Sequence, residues 1–340
     1  MNELTSTDTL QESTIPLLPG SQSCSPAFIN QVLHSDFLKN ELPDKCAQLI
    51  IADPPYFEVK GEFDFVWKSF DDYLKDVEKW AIECKRILAD NGTLFWYGHA
   101  KKLAYTQVII DKYFNLENNI AIEFNRQTKK GVEEFRCFAP VSERLLMYST
   151  YSEDGNDCYS KAEHFKPIIN YLRSEFKKAN KIGYNTKEFR KLMGLNEDAG
   201  GIRYFADKVW IFPTKEHYMA FQKTGFFNKP YIDLLEEFEN CRRYFNNFQK
   251  LFDIMSFDQE AHITKMYDHD TCKPETLTRA LILTCSREND LVVVPFAGSG
   301  TECAMSIKEK RRSIGFDVKR EYVEMSNARI KKIVSAPTLF

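Results

Sequence analysis

No apolar run in the 340 residues approaches the roughly 18 needed to cross a bilayer, so no membrane partner is expected. Histidine is scarce. There are six, none in HxxxH or HExxH spacing, which removes the usual handle for a metal site, and no metal is expected. Nine cysteines are scattered without a CxxC pair. With an odd count and no secretory leader, they read as reduced thiols of a soluble intracellular protein. A strong charge of one sign is also missing: the net charge is −3, so any basic surface for a polyanion must be local. Hydrophobic residues at 43% and charged residues at 28% are ordinary for a globular chain, with aromatics at 14% on the rich side.

The hydrophobic pattern gives the organisation. Residues 1–25, rich in Ser, Thr and Pro, read as a loose arm. "FINQVLHSD" (28–36) and "AQLIIAD" (47–53) read as strands, the second buried on both faces. Ser69 followed by Asp72 is a capping-box variant, and the apolar positions from Phe70 to Leu88 recur at helical spacing until Asn91-Gly92 stops them. Strands follow at 93–98, 119–124 and 144–149. Strands alternating with helices predict an α/β fold built on a doubly wound, mostly parallel sheet. The alternation breaks over 151–265. Between Lys161 and Lys191 nine Lys/Arg face three acidic residues, and helices are expected near 166–180, 186–193 (capped by Thr186), 200–208 and 230–252. From about 273 the alternation resumes: helix, strand, Gly-rich turn, helix, strand, and a closing helix over 320–334.

Two turns carry chemistry. Phe296-Ala297-Gly298-Ser299-Gly300 follows "LVVV" and precedes a helix. Glycines there let backbone approach a ligand, and the helix N-terminus favours a carboxylate or phosphate. Asp317, ending the next strand, is where an acidic residue would hold a ribose. An F-x-G-x-G pattern in place of G-x-G-x-x-G favours an adenosyl cofactor without a pyrophosphate over a dinucleotide. The bland alternative is a plain strand–helix turn. The other turn is "LIIADPPYF" (49–57), where a buried strand hands over to Asp53, Pro54, Pro55 and Tyr56. Prolines end strands for lack of a donor, but a turn alone does not call for a carboxylate and an aromatic at these offsets.

Together the two turns, in this order, resemble the β class of amino-group DNA methyltransferases that use S-adenosylmethionine. "FDFVWKSFDDYLKDVEKW" (63–80), "HDTCKP" (269–274) and "GFDVKREYVEMSNARI" (315–330) extend the resemblance to about two-thirds of the chain. It implies a circularly permuted Rossmann-like fold with a catalytic half at 26–150, a target-recognition insert at 151–265 and a cofactor half at 266–340. It further implies methylation of adenine N6 in double-stranded DNA, with Asp53 and the Pro54 carbonyl accepting the two N6–H groups and Tyr56 stacking on the flipped base. Phe57 could extend that platform, although a core aromatic is the plainer role. The implied cofactor contacts are Gly298 and Gly300 near the methionine part, Phe296 in the same turn, and Lys273, with Thr271 beside it, at the carboxylate. Asp317 would take the ribose and Asp36 the adenine. Lys273 and Asp36 have solvated surface charge as their ordinary alternative.

One departure stands out. The family usually carries aspartate where this chain has Val294, a change that weakens cofactor affinity or marks a non-catalytic copy; the intact D-P-P-Y favours an active enzyme. In the insert, the pair 186–193/200–208 resembles a helix-turn-helix. Lys177, Lys178, Lys187, Arg190, Arg203 and Tyr204 are its candidate DNA contacts, against the alternative of a helical cap with a solvated basic face. His99 and Glu143 sit at strand ends where a base pocket could lie, although a satisfied structural role is the plainer expectation for both. A cytosine-N4 or RNA methyltransferase, or a non-catalytic DNA-binding relative, remain the rival readings. A homodimer supported by 226–257, a partner restriction endonuclease, and a cytoplasmic setting in a prokaryote or phage host accompany the resemblance.

Overall fold

The computed structural model describes residues 29–58, 66–124, 142–150, 165–197, 202–206, 210–257 and 272–335. Among these, eight strands form one sheet: β1 (Gln31–His34), β2 (Ala47–Ala52), β3 (Leu88–Gly98), β4 (Phe114–Phe124), β5 (Ser142–Thr150), β6 (Ile254–Phe257), β7 (Leu291–Val294) and β8 (Arg312–Asp317). Their order is β1-β8-β7-β2-β3-β5-β4-β6. β1, β8, β7, β2 and β3 pair in parallel, β5 runs antiparallel between β3 and β4, and β6 pairs parallel to β4 at the edge. The α/β, mostly parallel expectation holds.

Alternation along the strands divides the apolar side chains between two layers. Ile50, Ala52, Leu94, Trp96 and Val293 face a core closed by α1 (Phe70–Ile87) and α2 (Leu103–Ile110). Leu49, Ile51, Phe95, Tyr97, Val292 and Val294 face the opposite core, closed by α7 (Glu275–Cys285), α8 (Thr301–Lys308) and α9 (Arg320–Ser335). Both faces of β2 are thus covered, which is why its sequence is uninterruptedly apolar. Helix α1 starts as its capping residues require: the Asp72 amide donates to Ser69 Oγ at 3.1 Å, and the Ser69 hydroxyl donates to the Asp72 carboxylate at 2.8 Å. Tyr73, Val77, Trp80, Ala81, Cys84 and Ile87 form its buried stripe. The helix ends at Ile87, ahead of the expected Asn91-Gly92 stop, because Leu88 is already extended and joins β3.

The insert is a separate aromatic core made by α3 (Lys166–Lys181), α4 (Thr186–Leu192), α5 (Lys215–Gln222) and α6 (Tyr231–Cys241), around Leu172, Phe189, Tyr218, Phe221 and Phe227. Three expectations fail here. Asn185, not Thr186, caps α4, its side-chain oxygen accepting from the Lys187 and Glu188 amides. Within 200–208 the described residues form only a 3-10 turn at Arg203–Phe205. The carbonyls of Tyr204, Phe205 and Ala206 accept from the side chains of Trp210 and Arg173, so they are taken from any helical ladder. The helix expected over 230–252 stops at Cys241, where Arg242 turns extended, and the chain goes on to supply β6.

Because β5 is antiparallel, the insert leaves the sheet where the parallel strands begin. It returns there too. Asn91 donates to the Asn240 carbonyl at 2.8 Å, the Asn246 amide donates to the Thr284 carbonyl at 2.8 Å, and the Arg287 guanidinium holds the Glu239 carbonyl. The described attachments of the helical unit therefore lie at the end of the sheet opposite the carboxyl ends of β2 and β7.

Candidate active site

The two chemistry-bearing turns come together at one point. β2 and β7 are neighbours, with Leu49 beside Val292 and Ile50 beside Val293. The connection from β2 proceeds to β3 on one side, and that from β7 to β8 on the other. This is the topological switch point of a doubly wound sheet, where ligands bind beyond the carboxyl ends of the strands. Asp53-Pro54-Pro55-Tyr56 leaves one strand there, and Phe296–Gly300 leaves close to the end of the other.

The Asp53 carboxylate is held from both sides. Tyr56 Oη donates to Oδ1 at 2.6 Å, and Lys273 Nζ donates to Oδ2 at 2.7 Å. Lys273 is only 5% exposed, lies 4.7 Å from the centre of the Tyr97 ring and reaches Glu143 Oε2 at 3.5 Å. Burial pulls its ammonium pKa down, but the Asp53 and Glu143 carboxylates outweigh that, and the net displacement is upward. Burial, followed by the charges of Asp53 and Glu143, pushes the Tyr56 phenol well up, so it stays a donor. A third carboxyl group stands close by. Glu302, in the first turn of α8 and 5% exposed, is pushed up to about 7 by burial and then by the Asp53 carboxylate. Lys102, just ahead of α2, fixes the loop, donating to the Phe57 carbonyl at 2.7 Å and lying 4.2 Å over that ring. Phe57 is buried against Phe70 and Tyr73, so it is a core aromatic.

The expected cofactor residues gather along the ends of β1, β8 and β7. Asp317 accepts from the Gly298 amide at 2.9 Å and the Lys319 amide at 2.8 Å, tying the end of β8 to the Gly-rich turn. Burial raises its carboxyl pKa. Asp36 follows β1, which pairs with β8, and caps a short 3-10 turn by accepting from the Leu38 amide. Phe296 anchors the turn in the α1-side core, edge-on to Trp80 with centroids 4.9 Å apart. Gly300 is left-handed (φ 70°), and a Cβ there would come within 2.6 Å of Ser326 Oγ, so the close approach of α9 alone requires glycine. Thr271 lies outside the described residues.

The arrangement matches a known family. The DNA methylase family model for N6 and N4 amino-methyltransferases covers residues 47–328 of the chain. The orphan methyltransferase M.BamHII of Bacillus amyloliquefaciens is 31% identical over 302 residues, spanning 87% of this chain and 93% of that protein. The chain belongs to this DNA methylase family. The DNA adenine methyltransferase YhdJ of Escherichia coli is 24% identical to the methylase over 324 residues, covering 90% of this chain and 86% of YhdJ. Among solved structures, the cytosine-N4-specific PvuII DNA methyltransferase superposes with a TM-score of 0.50 at 14% identity over 90% of this chain and 93% of that one, a likeness of fold.

Several residues of the methylase stand where the sequence reading did not put them. Lys273, expected at a cofactor carboxylate, lies between Asp53 and Glu143. Glu143 thereby faces the site, and among the described residues its Oε2, like Tyr97 Oη and His99 Nδ1, is buried and meets no hydrogen-bond partner. Burial and then the charges of Lys101 and Lys102 lower the His99 pKa. Tyr204 cannot face DNA: it is 7% exposed, and its hydroxyl lies 2.6 Å from His217 Nδ1 inside the helical core. Lys177, Lys178, Lys187 and Arg203 are exposed and Arg190 half-buried, with Lys178 paired to Glu175 at 2.5 Å. Glu302 escaped the sequence reading because a glutamate in a first helical turn is ordinarily a solvated partner of the helix dipole. Its signal was its place, one residue past G-S-G-T.

Proposed function

We propose that this methylase transfers a methyl group from S-adenosylmethionine to the N6 amine of adenine in DNA, at a short sequence, with the target base flipped from the duplex. What supports the reading is the meeting at the switch point of an aspartate held by two donors and a Gly-rich turn. An exocyclic amine is a poor nucleophile because its lone pair is delocalised into the ring. Accepting its two protons at Asp53 and at the Pro54 carbonyl draws the nitrogen toward tetrahedral geometry and returns density to it. Both oxygens of Asp53 already hold donors. Each carboxylate oxygen has two lone pairs, so an N6–H bonds beside these donors or takes the place of one, and Lys273 has the Glu143 carboxylate to move onto. Tyr56 offers its ring face to the base. Aspartate in the first position suits adenine N6, where serine accompanies cytosine N4 more often in the family.

When bound, S-adenosylmethionine supplies the electrophilic methyl group. The residues present fit it. Acids outnumber cations around Asp53, as suits a sulfonium, and Gly298, Gly300, Asp317 and Asp36 line the ends of three adjacent strands. We assign Phe296 to anchoring the Gly-rich turn and keep Thr271 as a cofactor contact. Lys177, Lys178, Lys187, Arg190 and Arg203 are the proposed phosphate contacts. A cognate restriction endonuclease and a second copy of the chain are the proposed protein partners.

The test is incubation of the protein with unmethylated duplex DNA and methyl-labelled S-adenosylmethionine, followed by nucleoside analysis. Label is expected in N6-methyldeoxyadenosine. Asp53→Ala should lower turnover by at least about 10²-fold, the scale of losing one transition-state hydrogen-bond partner, while cofactor binding persists. Label in N4-methyldeoxycytidine overturns the base assignment, and comparable turnover by the variant overturns the mechanism.

A further inference from the structure

Glu302 has no part in the reaction as derived, yet the fold has buried its carboxyl group among the charged groups of the candidate site. It is 5% exposed, in the first turn of α8, directly behind the Gly-rich turn. Among the described residues it forms no ion pair. The charged groups that face it come from four directions: Asp53 beyond β2, Lys273 ahead of α7, Arg329 on α9, and the Tyr97 phenol on β3. The Cys272 and Cys303 thiols complete its surroundings. The two cations are already engaged. Lys273 sits on Asp53 and Glu143, and Arg329, 2% exposed, holds Glu275 at 2.6 Å and Thr301 Oγ1 at 2.8 Å. Asp53, Glu143, Glu275 and Glu302 thus set four carboxyl groups against the two cations Lys273 and Arg329, and of the four acids Glu302 is the one buried. Helix α8 offers its N-terminus to one of them, and no protein cation remains for it among these groups.

We propose that Glu302 is the residue by which this methylase distinguishes the sulfonium cofactor from its thioether product. The inference rests on the methyltransferase reading above. S-adenosylmethionine carries a sulfonium, an ammonium and a carboxylate, a net charge of +1; the demethylated product carries none. Entry of the sulfonium supplies the missing cation, and the Glu302 proton leaves to bulk water. After transfer the positive charge is gone, the carboxyl takes its proton back from water, and the product loses the attraction that held its precursor. With burial and Asp53 pushing the free-state pKa up to about 7, this exchange runs at neutral pH.

Isothermal titration calorimetry of the full-length protein tests this in buffers of different ionisation enthalpy, with S-adenosylmethionine and S-adenosylhomocysteine titrated separately. At pH 7 the methylated form is expected to release protons and the product clearly fewer. In Glu302→Gln the difference in proton release should vanish. The preference for the methylated form at pH 8 should also fall about tenfold, a modest share of what one charge several ångström away gives at protein-like dielectric. Glu302→Asp, which keeps the charge, should retain the preference in part. Equal proton release by the two compounds in wild type overturns the proposal without needing any variant to fold. So does an unchanged preference in folded Glu302→Gln. Binding of neither compound by wild type instead overturns the cofactor reading, and this inference with it.

Discussion

At the scale of single residues the active site is a problem of charge held out of water. Among the described residues, Lys273 is the one ammonium that touches Asp53 and Glu143 together. Replacing it with methionine strands both carboxylates. Urea unfolding should report a loss of about 3–5 kcal/mol, the usual cost of removing one partner of a buried pair. The same site makes the ligand-free protein pH-sensitive. A carboxyl with a folded pKa of about 7 binds its proton more tightly folded than unfolded. The stability Glu302 contributes is therefore complete below about pH 4, its unfolded range, and is lost as pH rises through 7. Denaturation midpoints of the ligand-free protein should fall from pH 5 to 8. Glu302→Gln should remove a part of that fall worth on the order of 2–3 kcal/mol. A slope unchanged by the substitution would show that other groups carry it.

At the scale of elements, the helical insert separates residues that look alike in sequence. Lys177 and Lys187 point outward, whereas Tyr204 is built into the core. Charge reversal of both lysines should weaken binding to any duplex and flatten the dependence on salt by about one unit of slope for each phosphate no longer neutralised. Tyr204→Phe should leave DNA affinity unchanged and cost the helical unit about 1 kcal/mol through the lost bond to His217, read by thermal melting. The same contrast explains what was legible beforehand. β2, α1, α3 and the closing helix announced themselves through unbroken apolar runs, a Ser69–Asp72 box and a 3.6-residue period, all local signals. The failures were tertiary. Nothing near 200–208 says that Arg173, some thirty residues earlier, will claim its carbonyls, and nothing near 254–257 says that a neighbouring strand awaits. Asp53 was legible because its motif is contiguous. Its partners Lys273, Glu143 and Glu302 come from three other regions of the chain, and only the closed sheet brings them to it.

At the scale of the whole molecule, the central seam of the sheet joins residues 49–50 to residues 292–293. Between the halves of the active site, the chain builds an entire helical unit with its own core and ties it back at the amino ends of the strands. This seam has a consequence for the protein as it is made. On the ribosome, β2 emerges early, and its inner edge stays without β7 until nearly all of the chain has been synthesised. An apolar, two-sided strand with one open edge is a template for the wrong partner. A chain cut after residue 288 should accordingly partition into the pellet on centrifugation and, if recovered, bind no S-adenosylmethionine. A soluble fragment that binds it would mean that the early half folds alone. The timing also has a cellular meaning: an unfinished polypeptide carries the aspartate but not the turn proposed to hold the methyl donor, so on that reading no base is marked before translation is nearly complete.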